Sequence, residues 1–176
     1  LTINAFSASP SDIDFKDVTI AGAAAPVSVT RGGDCGGNSG ITFPAAKTVY
    51  WNKTGNNGWS ATGWCTSTDD GATSANFSAP DVNNFPLAQD TAKVTNASSV
   101  SILNVGDFLW SHGSIDMSSR TTSISIVLSN SEIYGDFKLG SGVTVSSGSY
   151  TLQFYGAGKT SNVLTSGVIL TGCSIR

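Results

Sequence analysis

The sequence predicts an all-β fold, a right-handed β-solenoid (β-helix) with a Trp/Gly-rich cap or insertion, and three observations carry that prediction. Ser, Thr, Gly and Asn make up nearly half of the 176 residues, and only 12% are charged. The apolar residues run to Val and Ile, which suit pleated surfaces, while the small polar residues suit tight corners. The acidic residues are eleven Asp and one Glu, so the exposed-face residues that helices draw on are missing. Short segments with alternating apolar side chains recur at about twenty residues, the period of stacked coils.

Those segments are Val100 to Val105, Thr122 to Leu128, Glu132 to Leu139, Val143 to Val145, Tyr150 to Tyr155 and Val168 to Ile175. In TSISIVL the side chains Ile124, Ile126 and Leu128 share one face, as Tyr150, Leu152 and Phe154 do in YTLQFY. Ile133, Leu152 and Leu170 take similar places in successive segments. The N-terminal IDFKDVTI, residues 13 to 20, echoes the C-terminal VILTGCSI, residues 168 to 175. A β-sandwich would also give short strands and regular turns, and is the structural alternative.

Three parts follow along the chain. Residues 1–25 read as an N-terminal strand or coil, 26–96 as the Trp/Gly-rich cap or insertion, and 97–176 as solenoid coils. A start at Leu1 and the echo at the other end predict that the chain is part of a longer protein.

Net charge is -3, with no basic run to neutralise phosphates, so nucleic acid is excluded as the expected partner. No apolar run is long enough to cross a bilayer, and no signal-peptide pattern is present. Cys35, Cys65 and Cys173 are too far apart for a metal knuckle. Cys173 reads as a small core residue and the other two as free thiols or a loop disulfide.

The stretch TVYWNKTGNNGWSATGWC places Tyr50, Trp51, Trp59 and Trp64 close together. These are the candidate binding residues if a sugar ring stacks on them, and the core of a cap if they are buried. Tyr50 and Trp51 would point to opposite faces of a strand, which disfavours one flat platform. The glycine-rich GGDCGGNSG lacks the Lys and Ser or Thr of a phosphate loop. Asp34 and Asn38 within it are weak candidate calcium ligands, without the full carboxylate set such a site needs.

Asp69, Asp70, Asp81 and Asp90 supply carboxylates in one stretch, and paired carboxylates are what glycoside hydrolysis requires. Asp69 and Asp70, with His112 in WSHGS and Arg120, loosely resemble the set of polygalacturonase-type solenoids. The third aspartate of those enzymes, in an Asn-x-Asp motif, is missing. No cofactor is expected. His112 otherwise reads as a solvated loop histidine beside Trp110. Asn52, Asn76 and Asn96 stand in formal glycosylation sequons, as expected by chance in a chain rich in Ser and Thr.

Taken together, FKDVTIAGAAAP, GDCGGNSGITFPAAKTVYW, GNNGWSATGWCTSTDDG and FPLAQDTAKVTNAS resemble a repeat of tailed-phage virion proteins and of large surface proteins of environmental bacteria. The resemblance covers about residues 15 to 97 by motif and the rest by pattern. Two departures stand out. NKTGNNGW replaces the usual Gly-Gly-x-Gly-Asn-Trp turn, and Cys65 follows Trp64, which raises a local disulfide to Cys35. The resemblance implies a tail-fibre, spike or decoration protein on a virion or outside a cell. It also implies other virion or fibre subunits as partners, homo-oligomers such as trimers, and adhesion to host glycans. A polysaccharide depolymerase and a free-standing carbohydrate-binding module are the alternative functions.

Overall fold

The computed structural model describes residues 2–5, 8–107, 111–146, 148–155 and 160–176. It is a β-solenoid of about seven turns. Helix among the described residues is confined to single 3₁₀ turns at Ser74–Asn76, Val82–Asn84 and Val105–Asp107.

The first strands are Asp14–Phe15 (β1), Val27–Ser28 (β2), Gly33–Asp34 (β3) and Ile41–Thr42 (β4). They pair in parallel, β1 with β3 and β2 with β4. Their side chains close a small core of Ile20, Val27 and Val29, backed by Phe15, Val18, Ile41 and Phe43. The main stack begins with Thr48–Trp51 (β5), Gly55–Gly58 (β6) and Trp64–Cys65 (β7). It continues with Thr91–Lys93 (β8), Val100–Asn104 (β9), Ser111–His112 (β10), Ser114–Met117 (β11), Ile124–Val127 (β12) and Ser131–Ile133 (β13). Phe137–Leu139 (β14), Val143–Val145 (β15), Tyr150–Phe154 (β16), Val163–Leu164 (β17) and Cys173–Ile175 (β18) complete it.

Three ladders form the walls: β7-β5-β8-β11-β14-β17, β6-β9-β12-β15 and β10-β13-β16-β18. Every pair is parallel except β5 with β7. Hairpin-linked antiparallel sheets are what a sandwich needs, so the sandwich alternative is set aside. In the first wall Val49, Ala92, Ile115 and Phe137 stack in register and point inward, all buried. A coil takes 19 to 23 residues where Ile124 stacks on Val143 and Ala92 on Ile115. The coil from Val49 to Ala92 takes nearly twice that, because the chain between β6 and β8 makes an excursion that touches the ladder only at β7, antiparallel to β5.

Several expectations shift in detail. The stretch Glu132 to Leu139 divides into β13 and β14 at Tyr134–Asp136. Ile133 stacks on Phe154 rather than Leu152, whose partner is Ser131. The ladder also does not wait for residue 97, since β2 to β6 and β8 all lie inside 26–96 and pair in parallel. β8, β10 and β11 were not singled out as periodic segments, and β10, with two residues, is too short to show alternation.

The corners are held by side chains that replace missing backbone partners. Arg120 is buried, and its guanidinium donates to the carbonyls of Thr95, Ser98, Val100, Thr122 and Ser123. Asn96 Oδ1 accepts from the amides of Thr121 and Thr122. The N-terminal coils meet the main stack along its third wall, where Cys35, Ala88 and Tyr134 cluster with Tyr155. Lys16 Nζ lies 3.4 Å from the centroid of the Tyr155 ring, which stacks on Tyr134 at 5.7 Å. That cation–π contact is a polar clasp between the two cores.

Candidate functional site

The tryptophans cap the end of the main core. β7 returns antiparallel to β5 so that Trp51 faces Trp64, and Trp59 follows β6 on the next wall. Trp51 and Trp64 cross edge to face with centroids 5.0 Å apart, as do Trp59 and Trp64 at 4.6 Å. The indole nitrogens donate inside the cluster, Trp51 Nε1 to the Lys53 carbonyl and Trp64 Nε1 to that of Trp59. Gly63 makes this possible, because a Cβ there would stand 2.6 Å from the Trp51 ring. Trp51 is 0% exposed, Trp59 and Trp64 are 1% exposed, and Tyr50 is 4% exposed. No ring of this set offers a face to a sugar, so the binding roles expected for Tyr50, Trp51, Trp59 and Trp64 give way to a structural one.

Asp69 and Asp70 do lie in a groove. It encloses about 340 Å³ over the outer face of the first wall and is lined by Asp69, Asp70, Lys93, Thr95, Asp116 and Ser118 among others. Asp70 adopts φ 56°, at the cost that a non-glycine left-handed residue carries. Its carboxylate accepts from the Tyr50 hydroxyl at 2.5 Å and from Lys93 Nζ at 3.0 and 3.1 Å. Those two donors, the Tyr50 hydroxyl first, hold the Asp70 carboxyl below its usual range. The same pairing, after burial, pushes the Tyr50 phenol well up. Asp69 accepts from Ser67 Oγ at 2.6 Å and Asn76 Nδ2 at 3.1 Å, and its carboxyl is lowered to about 2, chiefly by the Ser67 hydroxyl. A general acid needs its pKa raised toward neutrality. Both aspartates are shifted the other way.

His112 is not with them. It lies on β10 in the third wall, stacked on Ile133, 1% exposed, with its ring edge-on to Trp59 at 5.0 Å. The expectation of a solvated loop histidine is therefore corrected, since the strand turns this ring into the core. Trp110 lies outside the described residues. Arg120 is spent on corner carbonyls. Asp81 caps the 3₁₀ turn Val82–Asn84 by accepting from the Asn83 amide at 2.7 Å. Asp90 is buried, accepting from the amides of Lys47 and Leu87 at 2.9 Å and pairing with Lys47 Nζ at 3.1 Å. Of the four carboxylates close together in sequence, Asp69 and Asp70 thus share the groove, while Asp81 and Asp90 lie elsewhere with structural work of their own.

Asp34 and Asn38 bond to each other, Asn38 Nδ2 donating to Asp34 Oδ1 at 2.7 Å, while Asn38 Oδ1 accepts from the Val18 amide of the neighbouring coil. Among the described residues no group of three His, Cys, Asp or Glu side chains could hold a metal ion. The cysteines are free thiols. Cys35 donates to Ser111 Oγ and Cys65 to the Tyr50 carbonyl, and burial pushes both thiols up to about 11. A Cys35–Cys65 disulfide is thereby corrected, as both thiols are free and each has a different partner, Ser111 Oγ for Cys35 and the Tyr50 carbonyl for Cys65.

Lys93, Asp116 and Lys138 were missed by sequence reasoning. They stack in register along the outer face of the first wall, alternating in sign. Their signal was present as apolar–charged–apolar triplets, Ala92-Lys93-Val94, Ile115-Asp116-Met117 and Phe137-Lys138-Leu139. Opposite charges on neighbouring strands stabilise by about 0.2–1 kcal/mol each. No helix among the described residues is long and apolar enough to cross a membrane. Comparison with family models, curated proteins and solved structures returned no match.

Proposed function

We propose that this chain is a structural element of an extracellular surface fibre or a phage virion appendage, assembled with other fibre subunits or copies of itself. The observation that carries the reading is the stack of parallel rungs β5, β8, β11, β14 and β17 over an apolar core whose end is covered by three tryptophans. Such a stack transmits load along its backbone ladders, each coil bearing on its neighbours. The motif resemblance to repeats of virion and bacterial surface proteins supports the setting outside the cell or on a virion.

The groove supports a scaffold over a depolymerase. Its carboxylates are already engaged by Tyr50, Lys93, Ser67 and Asn76, and His112 lies in another wall. Glycoside hydrolysis needs two carboxyls facing across a bond, one of them kept protonated. Contact with host or surface glycans is a second use, and it falls on surfaces outside the buried tryptophan cluster.

The test is imaging of the assembled particle or filament at a resolution that traces the backbone, beside a reducing-end assay on surface polysaccharides. A repeated or symmetric element and no new reducing ends are expected. Reducing ends that appear with the wild-type chain and vanish in Asp70→Asn would replace the scaffold with a depolymerase.

A further inference from the structure

One phenol of the main core has no hydrogen bond. Tyr150 opens β16 in the third wall and is 3% exposed, and its hydroxyl is buried without a partner. The other three tyrosines all donate, Tyr50 to Asp70, Tyr134 to Glu132 and Tyr155 to Gln153. A buried O–H that donates to nothing has given up its water and received no bond in return, which is why such groups are scarce and call for an explanation.

What lies against this hydroxyl is a thiol. β18 runs parallel to β16 with Cys173 in register with Tyr150, so the two side chains share a face, and Cys173 packs on the same core. Burial, and after it the Cys173 sulfur, pushes the Tyr150 phenol up to about 12, so the phenol keeps its proton and stays a donor. Thiol sulfur is a weak acceptor, and the hydroxyl makes no bond to it. Cys173 Sγ itself donates to the Ser174 carbonyl at 3.6 Å, which leaves the sulfur lone pairs unused. β18 is the outer strand of its sheet and Cys173 is half-buried, whereas Cys35 and Cys65 are buried with their thiols pushed up to about 11. Thiol oxidation follows exposure and thiolate character, so Cys173 is the first of the three to react.

We propose that Cys173 is a reversible oxidation site, converted to its sulfenic acid by a hydroperoxide and held in that state by the Tyr150 hydroxyl. With hydrogen peroxide, Sγ attacks one peroxide oxygen, an S–O bond forms as the O–O bond breaks, and the sulfur gives up two electrons. The departing oxygen takes the thiol proton and leaves as water. The new oxygen is the acceptor that the phenol lacks, so the donor left idle beside the thiol is employed beside the sulfenic acid. Cys35 and Cys65 are engaged by Ser111 and the Tyr50 carbonyl, so neither condenses with Cys173 to a disulfide. An external thiol returns it to the reduced form.

The experiment treats the whole chain with hydrogen peroxide, traps sulfenic acid with dimedone at increasing delays, and locates the adduct by peptide mass spectrometry. An adduct on Cys173, absent from Cys35 and Cys65 and lost in Cys173→Ser, is expected. In Tyr150→Phe the trappable state should decay at least about fivefold faster, the factor that one neutral hydrogen bond is worth. Thermal unfolding supplies a second readout. Oxidation should raise the melting temperature of the wild type and not that of Tyr150→Phe. The reduced Tyr150→Phe chain should melt at or above the wild type, because the hydroxyl it removes bonds to nothing. No adduct on Cys173, a disulfide-linked dimer in its place, or a lifetime unchanged in Tyr150→Phe overturns the proposal. A reduced Tyr150→Phe chain that melts lower overturns it as well, since the hydroxyl would then be at work before oxidation.

Discussion

Trp51 and Trp64 face each other across the antiparallel β5–β7 pair, their rings crossed at 80°. This contact turns an apparent sugar platform into a plug for the end of the core. Trp64→Ala is expected to cost about 3–5 kcal/mol, the usual range for emptying a buried aromatic site. Urea unfolding followed by tryptophan fluorescence measures it. A loss below about 1 kcal/mol would mean that the cap does not close the core.

Arg120 serves five carbonyls from two coils and no carboxylate. Arg120→Met keeps much of the volume but leaves buried acceptors unpaired, at about 1–3 kcal/mol for each that finds no water. Arg120→Lys has only three donors and should fall between wild type and Met. Thermal unfolding of the three proteins gives the order, and equal melting temperatures would contradict it.

The acid limb of stability carries the signature of the groove. Asp69 and Asp70 have folded pKa values below their unfolded ones, so each binds protons more readily when unfolded. Their contribution is complete above the unfolded value near 4; that of Asp69 is lost as pH falls toward about 2, and that of Asp70 as pH falls through its own lowered value. Asp14 is shifted upward and works in the opposite sense, favouring the fold as it protonates. Asp69→Asn should flatten the loss of stability between about pH 4 and 2. Chemical unfolding across that window checks the slope, and an unchanged slope would remove Asp69 from the account.

Asp116 separates Lys93 from Lys138 on the outer face of the first wall. Asp116→Lys would put three like charges in register and should destabilise by up to about 1 kcal/mol. Added salt should recover part of that loss, because screening acts strongly on exposed charges. A loss indifferent to salt would point to the Ser118 bonds of Asp116 instead.

Thiol chemistry separates the cysteines. Cys35 and Cys65 are buried with pKa values near 11, whereas Cys173 is half-buried. Under native conditions an aromatic disulfide reagent should modify Cys173 first, and all three only after unfolding. Rapid native modification of Cys65 would show that the cap opens.

The strand content, the coil period and the corner chemistry were legible because they are local. Val and Ile at alternate positions, Gly and Asn at bends and the near-absence of Glu act through each residue's own backbone preferences. The tryptophan cap was legible for a related reason, since adjacent strand residues must point to opposite faces. The aspartates were not. Asp69, Asp70, Asp81 and Asp90 look alike in sequence, yet one is buried beside Lys47, one caps a turn, and two line a groove.

What the sequence determined by itself is the kind of chain this is: β-branched, turn-rich, low in charge and built to stack on itself. What only the tertiary structure decided is which side chains meet. A coil takes 19 residues from Ile124 to Val143 but 43 from Val49 to Ala92, so separation along the chain does not give height along the stack. Register is set instead by the summed burial of Val49, Ala92, Ile115 and Phe137 in one column. That column places Tyr50 beside Asp70, while the third wall sends His112 inward, and no local pattern encodes those outcomes.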